Sequence, residues 1–265
     1  MKKYLSAFII SAVLALILFM PFNCSAEETY ANNGFIINKD NEITGYKGSE
    51  AHIVIPDGIT SIKEDVFRDN NDILSVTIPA SVTSIESLAF AYCPNLSRVS
   101  IGGELVKMGY GVFNYTPWLK SQTNEYVVLA GTLIAYNGKS TSLQVPDGTK
   151  YVTGGLFPFY QEGNDYLFYG GKITSVKLPD GLLGINDGAF GDCNKLESIT
   201  IPDSVTYIGR NAFSDCKALS YVKLPANLEV IDALAFSGCS SLESIDIPYG
   251  TMSIKNSFGY CTAPH

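Results

Sequence analysis

The chain has 265 residues, 46% hydrophobic and 17% charged, which is enough apolar material for a packed core. Its formal net charge is −8, and the first 26 residues carry only Lys2 and Lys3 as charges, so the remainder of the chain is more acidic still. An acidic surface repels phosphate backbones and anionic headgroups. That argues against nucleic acid and anionic lipid as partners and leaves neutral or basic protein surfaces and sugars.

Residues 1–26 read as a secretory signal peptide. Lys2 and Lys3 precede an uncharged, mostly apolar run over 5–20. Pro21 comes next, then Cys24-Ser25-Ala26, with small residues placed for a cut after Ala26. The run is shorter than the roughly 20 residues of a spanning helix, which disfavours an uncleaved anchor. Pro21-Phe22-Asn23 is not the small aliphatic set that lipidation at Cys24 would need. The chain has no second spanning stretch, so no stable membrane insertion is expected after cleavage.

Residues 27–50 contain two short apolar-alternating runs around Lys39-Asp40-Asn41, the pattern of a capping hairpin over the first coil. A repeat then begins. Phe67, Phe90 and Phe113 are 23 residues apart, as are Phe190, Phe213 and Phe236. Pro56 and Pro79, then Pro179, Pro202, Pro225 and Pro248, keep the same step. In the unit ITIPDSVTYIGRNAFSDCKALSY, Ile199 and Ile201 alternate with Thr200 as in a strand with one buried face. Pro202 cannot donate to a ladder and ends that strand, and Asp203-Ser204 supplies turn chemistry. Val205 and Ile208 return inward, and Phe213, Cys216 and Leu219 at three-residue steps suit a short helical turn. Such a unit cannot hide its apolar face alone and must stack on its neighbours. Regular repeats are expected over 51–121 and 172–265.

Between them, 122–171 is irregular. Phe113 to Phe157 is 44 residues and Phe157 to Phe190 is 33. Two apolar runs, 126–129 and 133–136, flank Ala130-Gly131-Thr132 and read as a hairpin, and the stretch FPFYQEGNDYLFYGG lies beyond it. The last unit shortens its Pro-to-Phe step to 10 residues, as a terminal cap or a broken-off continuation would.

The unit [V/I]-x-[I/L]-P-x-x-[V/L]-x-x-I-x-x-x-A-F-x-x-C-x-x-L resembles the BspA-like, or Treponema-type, leucine-rich repeat, over about residues 34–261. The resemblance implies a mainly β, right-handed solenoid of parallel strands. It also implies a bacterial-type cell-surface or secreted protein engaged in adhesion to host matrix proteins or other microbes. It points to an extracellular protein or glycan as partner without naming one.

Nothing in the residues marks a catalyst, a metal site or a cofactor site. Cys93, Cys193, Cys216, Cys239 and Cys261 each stand three residues after a ladder Phe, as a buried apolar column would. Disulfides between neighbouring coils are the rival reading, and zinc is disfavoured because no C-x-x-C occurs. Asp57, Asp147, Asp180 and Asp203 recur at one turn position and are explained by the turn. His52 has no nucleophile motif beside it, and the Gly pairs at 102/103, 154/155 and 170/171 read as loop glycines.

A non-catalytic interaction module is therefore expected. The scaffold of a surface hydrolase is the alternative, and a bare spacer fits poorly with the aromatic insertion. Candidate contacts are the central aromatics Trp118, Tyr126, Tyr136, Phe159, Tyr160, Tyr166, Phe168 and Tyr169, with Lys177 and Lys223 on the strand face. The competing role for the rings is to plug the gap left by the irregular coil.

Overall fold

The computed structural model describes residues 29–30, 33–155, 160–162, 165–167, 169–252, 256–259 and 261. The expected signal peptide lies outside them.

The segment ahead of Pro56, Pro79, Pro146, Pro179, Pro202 and Pro225 becomes a strand, whereas the one ahead of Pro248 does not. His52–Val54, Ser75–Ile78 and Arg98–Ile101 lie parallel, with His52 opposite Ser75 and Ser75 opposite Arg98, so the register is the repeat itself. Ser198–Thr200 and Tyr221–Lys223 pair in the same way, and Ser142–Gln144 pairs with Ser175–Lys177 across the longer central step. Side chains alternate as the pleat requires: Ile53, Val76, Leu143, Ile199 and Val222 are buried, while Thr77, Gln144, Lys177, Thr200 and Lys223 are exposed.

The ladder runs up to the residue before proline, with Ile55 N–H donating to Thr77 O at 2.9 Å and Ile201 N–H to Lys223 O at 3.0 Å. Proline has no N–H to continue it. Its carbonyl instead accepts from three residues on, as Pro79 O does from Val82 (3.2 Å) and Pro202 O from Val205 (3.0 Å), and the chain turns a corner. A second set of short parallel strands comes after the corner: Ser61–Ile62, Ser84–Ile85 and Lys107–Met108, then Tyr151–Val152, Gly184–Ile185, Tyr207–Ile208 and Val230–Ile231.

The third side carries the phenylalanines. The expected short helical turn takes an unusual form here, because left-handed residues stand two before and two after each Phe. They are Asp65 and Asp69, Leu88 and Tyr92, Gly111 and Tyr115, Gly188 and Asp192, Asn211 and Asp215, and Leu234 and Gly238. The left-handed pairs aim three N–H groups at the next coil. Asn211, Phe213 and Asp215 donate to the carbonyls of Ala233, Ala235 and Ser237 at 3.2, 2.7 and 2.7 Å. Backbone groups that a helix would bond internally thus extend the solenoid.

Gly, Asn and Asp tolerate this conformation, and leucine does so at a cost of about 1–2 kcal/mol. Leu88 sits at φ 59° and Leu234 at φ 61°. Leu88→Asn is expected to raise stability by about 0.5–1 kcal/mol, read from chemical denaturation. An unchanged or lowered stability would show that the leucine contacts outweigh the backbone strain.

Inside, the Phe rings stack along the axis. Phe67–Phe90 and Phe90–Phe113 have centroids 4.8 and 5.5 Å apart, and Phe190–Phe213, Phe213–Phe236 and Phe236–Phe258 lie at 5.4, 5.2 and 5.5 Å. At the first coil, Phe35–Ile37 pairs antiparallel with Glu42–Tyr46, and Phe35 and Tyr46 lay their rings on Phe67 at 6.3 and 5.1 Å. Lys63 bridges Glu42 and Glu86, so an ion-pair ladder crosses the same three coils on the outside.

The apolar interior forms two clusters, and the hairpin of Tyr126–Leu129 with Thr132–Tyr136 stands between them. Every residue of the strand Thr132–Tyr136 is buried. Leu133 and Tyr136 join the C-terminal cluster, whereas Ile134 and Ala135 join the N-terminal one. The hairpin is a plate with a core on each face, which is how the stacking continues through the irregular step.

The cysteine column is buried as the burial preference of thiols suggests. Cys93, Cys193, Cys216 and Cys239 are fully buried, Cys261 is half-buried, and all five are unbridged. Cys93, Cys216, Cys239 and Cys261 direct their thiols at the Phe carbonyl of the preceding coil, at 3.0, 3.2, 3.1 and 3.0 Å. Burial pushes the Cys93 thiol up to about 11. Cys239 is also raised, first by its contact with Cys216 and then by burial. The thiolate is the reactive form, so native Cys93 should label at least about 100-fold more slowly at pH 8 than in urea. Rapid native labelling, or a mass lower by the hydrogens lost in a bridge, would refute this.

Candidate functional site

A groove of about 690 Å³ lies across the Phe-side turns. Seven passes of the chain line it: Glu64; Ser87 and Leu88; Tyr110; Gly155; Asp187 to Ala189 with Gly191 and Asp192; Arg210 and Asn211 with Ser214 and Asp215; and Leu234 with Ser237. These are the positions just before and just after each Phe, so the repeat that builds the core also builds this wall.

The floor depends on glycine. Tyr110 lies over Gly154 and Gly188, where added Cβ atoms would come within 2.7 and 3.0 Å of its ring. Gly154 is also a link in the stack, because Gly111 N–H donates to Gly154 O at 3.1 Å and Gly154 N–H donates to Asp187 O at 2.8 Å. The glycine at 154, which by sequence reads as a loop residue, therefore sits under the ring that joins the two arrays.

Glu64, Asp187, Asp192 and Asp215 face Arg210 across the groove, so acid predominates. Burial raises the Asp192 carboxyl above its usual range, and the Asp215 charge adds to this. Tyr207 lies within 3.3 Å of Asp187 and 3.2 Å of Asp232. Burial and then those two carboxylates push its hydroxyl well above the usual phenol range. Ser87, Ser214 and Ser237 also line the wall, and no histidine stands among the lining residues to activate their hydroxyls.

Among the described residues, no group of three or more His, Cys, Asp or Glu could hold a metal ion. His52 Nδ1 meets Ser75 Oγ at 2.8 Å, a pairing one coil apart that the 23-residue register could have foretold. The pair is exposed, and no carboxylate among the described residues hydrogen-bonds the ring, so the orienting group of a triad is missing.

The profile of the BspA type leucine rich repeat region matches six copies, over residues 45–158 and 161–263. The chain belongs to the BspA-type leucine-rich repeat family. It is similar to a leucine rich cell surface protein of Faecalibacterium prausnitzii, with 22% identity, TM-score 0.35, and coverage of 87% of this chain and 85% of that one. It is likewise similar to the leucine rich repeat protein of T. pallidum, with 22% identity, TM-score 0.34, and coverage of 90% and 91%. A leucine-rich repeat protein of Bacteroides ovatus shows 21% identity and TM-score 0.36, over 91% of this chain and 50% of that one. No curated protein matches the sequence.

Within this BspA-type frame the candidate contacts separate. Trp118 is a core residue, 9% exposed and edge-on to Phe113 at 4.9 Å. The helical turn Pro117–Lys120, capped by Thr116 Oγ1 accepting from Leu119 N–H at 3.2 Å, drives it inward. Tyr136 is buried on the hairpin plate at 3% exposure. Both rings are largely buried, although Trp118 still borders a groove on the strand face with Ser75, Arg98 and Gln122. Tyr126 is half-buried against Tyr136 at 5.4 Å, and Lys177 and Lys223 are exposed on the strand face. The backbone of Tyr160 and Tyr166 belongs to an antiparallel pair, Tyr160–Glu162 with Asp165–Leu167, and Tyr169 begins a short 3-10 turn. Phe159 and Phe168 lie outside the described residues.

Sequence reasoning misses the groove because its members are polar, small or aliphatic, and only the fold brings them together. The available signal is the run of Asp, Asn and Gly two residues either side of Phe, interrupted by Leu88, Tyr92, Tyr115 and Leu234.

Proposed function

We propose that this BspA-type protein is an exported interaction module that engages an extracellular protein or glycan through its repeat surface and performs no catalysis. The observation that supports it best is the groove, whose wall is drawn from seven passes of a rigid, hydrogen-bonded stack. A surface of this kind offers many aligned contacts and no converging set of reactive groups. Export rests on the signal-like residues 1–26, and placement at the cell surface rests on membership of the family, of which the Faecalibacterium prausnitzii relative is described as a cell surface protein. No described helix is long and apolar enough to cross a membrane. Lys177, Lys223 and the aromatic insertion remain proposed as secondary contacts.

The test is to screen the purified chain for binding to matrix proteins, mucin, glycans and whole bacteria, with hydrolysis of the same polymers assayed in parallel. Saturable binding without turnover is the expected result. Turnover of any polymer would install the hydrolase reading instead, and absence of any binding would overturn the module reading.

A further inference from the structure

We propose that the groove receives an extended, basic segment of a partner protein carrying apolar side chains among its lysines or arginines. This deepens the module reading and rests on it. Three observations converge on that chemistry.

The first is shape. Seven passes stacked at about 4.8 Å span roughly 29 Å, which matches about nine residues of extended chain at about 3.3 Å each. A volume of about 690 Å³ is within the usual range of a binding cleft.

The second is charge. Glu64, Asp187, Asp192 and Asp215 line the groove with Arg210 as the one cation in the lining, and Lys217, outside the lining, partly offsets the charge at Asp192. Among the described residues no lysine or arginine makes a salt bridge to any of the four. Asp192 and Asp215 repel one another in a partly buried setting, which a bound cationic side chain would relieve. A phosphate-bearing or anionic partner would add to that repulsion.

The third is the pair of leucines. Leu88 and Leu234 occupy the left-handed position before Phe, where other coils place Asp65, Gly111, Gly188 and Asn211. Both line the groove. Leucine is a poor choice there for the backbone, and what it contributes is an apolar patch on each of two distant coils of one groove. Paired with the carboxylates between them, these patches fit a ligand of mixed apolar and basic character.

The test uses a fluorescein-labelled decapeptide, Lys-Leu-Lys-Ser-Lys-Leu-Lys-Ser-Lys-Leu, and its counterpart with Glu in place of Lys, titrated against the purified chain by anisotropy. The groove variant is Glu64→Gln/Asp192→Asn/Asp215→Asn, in which Asn keeps the left-handed backbone comfortable. A control with the same charge change at exposed turns outside the groove is Asp57→Asn/Asp147→Asn/Asp203→Asn. The lysine peptide is expected to bind saturably and the glutamate peptide not at all. The groove variant should weaken binding at least 10-fold and the turn variant less than twofold, and Leu88→Asn/Leu234→Asn should weaken it at least fivefold with no loss of melting temperature. Equal weakening in both charge variants would reduce the effect to bulk attraction and overturn the proposal, as would full binding by the groove variant or no binding by the wild type. If the groove variant still captures the extracellular partner found in the screen, the module reading stands and this inference falls. If the wild type binds the peptide but nothing in the screen, the module reading falls by itself.

Discussion

Phe213→Ala is expected to destabilise the fold by about 3–5 kcal/mol, as truncation of a large core aromatic does. The ring is fully buried and is stacked on both sides, on Phe190 at 5.4 Å and on Phe236 at 5.2 Å with the planes 4° apart. Its N–H also donates to Ala235 O at 2.7 Å. The coils on either side are fixed by their own ladders, so they cannot collapse into the space the ring leaves, and the cavity persists. Phe258→Ala is the comparison. That ring has one stacked neighbour among the described residues, Phe236, and is 8% exposed. Its loss should cost about half as much or less, since fewer contacts go and the end coil can relax. Urea denaturation of both variants decides the matter, and equal losses would show that the ring stack is not the principal support of the coil.

The repeat makes the coil legible from sequence, because each recurring position corresponds to one local physical demand. The alternation of Ile199, Thr200 and Ile201 marks a strand with one buried face, Pro202 its end, and Phe213 the core position. The turn around Phe is less legible. Its left-handed residues are tolerated by Asp65, Asn211 and Gly188 but also carried by Leu88 and Tyr92, so residue type alone does not give the backbone. The contact surface is the least legible of all. Aromatic content points to Trp118 and Tyr136, yet large apolar rings tend to be buried, and both of these are largely so. The groove depends on Tyr110 meeting Gly154 and Gly188, residues 44 and 78 apart, and no 23-residue rule brings those together.

Gly154→Ala is expected to cost about 3 kcal/mol or more, an unusual loss for a single added methyl. The new Cβ would overlap the carbonyl oxygen of Asp187 and come within 2.7 Å of the Tyr110 ring. That carbonyl is the acceptor for Gly154's own N–H at 2.8 Å, so it cannot retreat without loosening the bond that ties this coil to the next. On the other side Gly111 donates to Gly154 O at 3.1 Å, and the same shift strains it. Overpacking of this kind costs about 1–3 kcal/mol, and each weakened backbone bond adds about 1. The position matters as much as the sum, since Gly154 stands where the two regular arrays meet. In a stack held by nearest neighbours, a weakened junction lets the halves unfold separately. The expected melt is therefore lower and split into two transitions, against a single one expected of the wild type. Gly181→Ala, whose Cβ would meet nothing within 4 Å, should melt as the wild type does. A single transition for Gly154→Ala, displaced no further than that of Gly181→Ala, would mean that the junction yields easily and that the glycine under Tyr110 is not needed to couple the arrays.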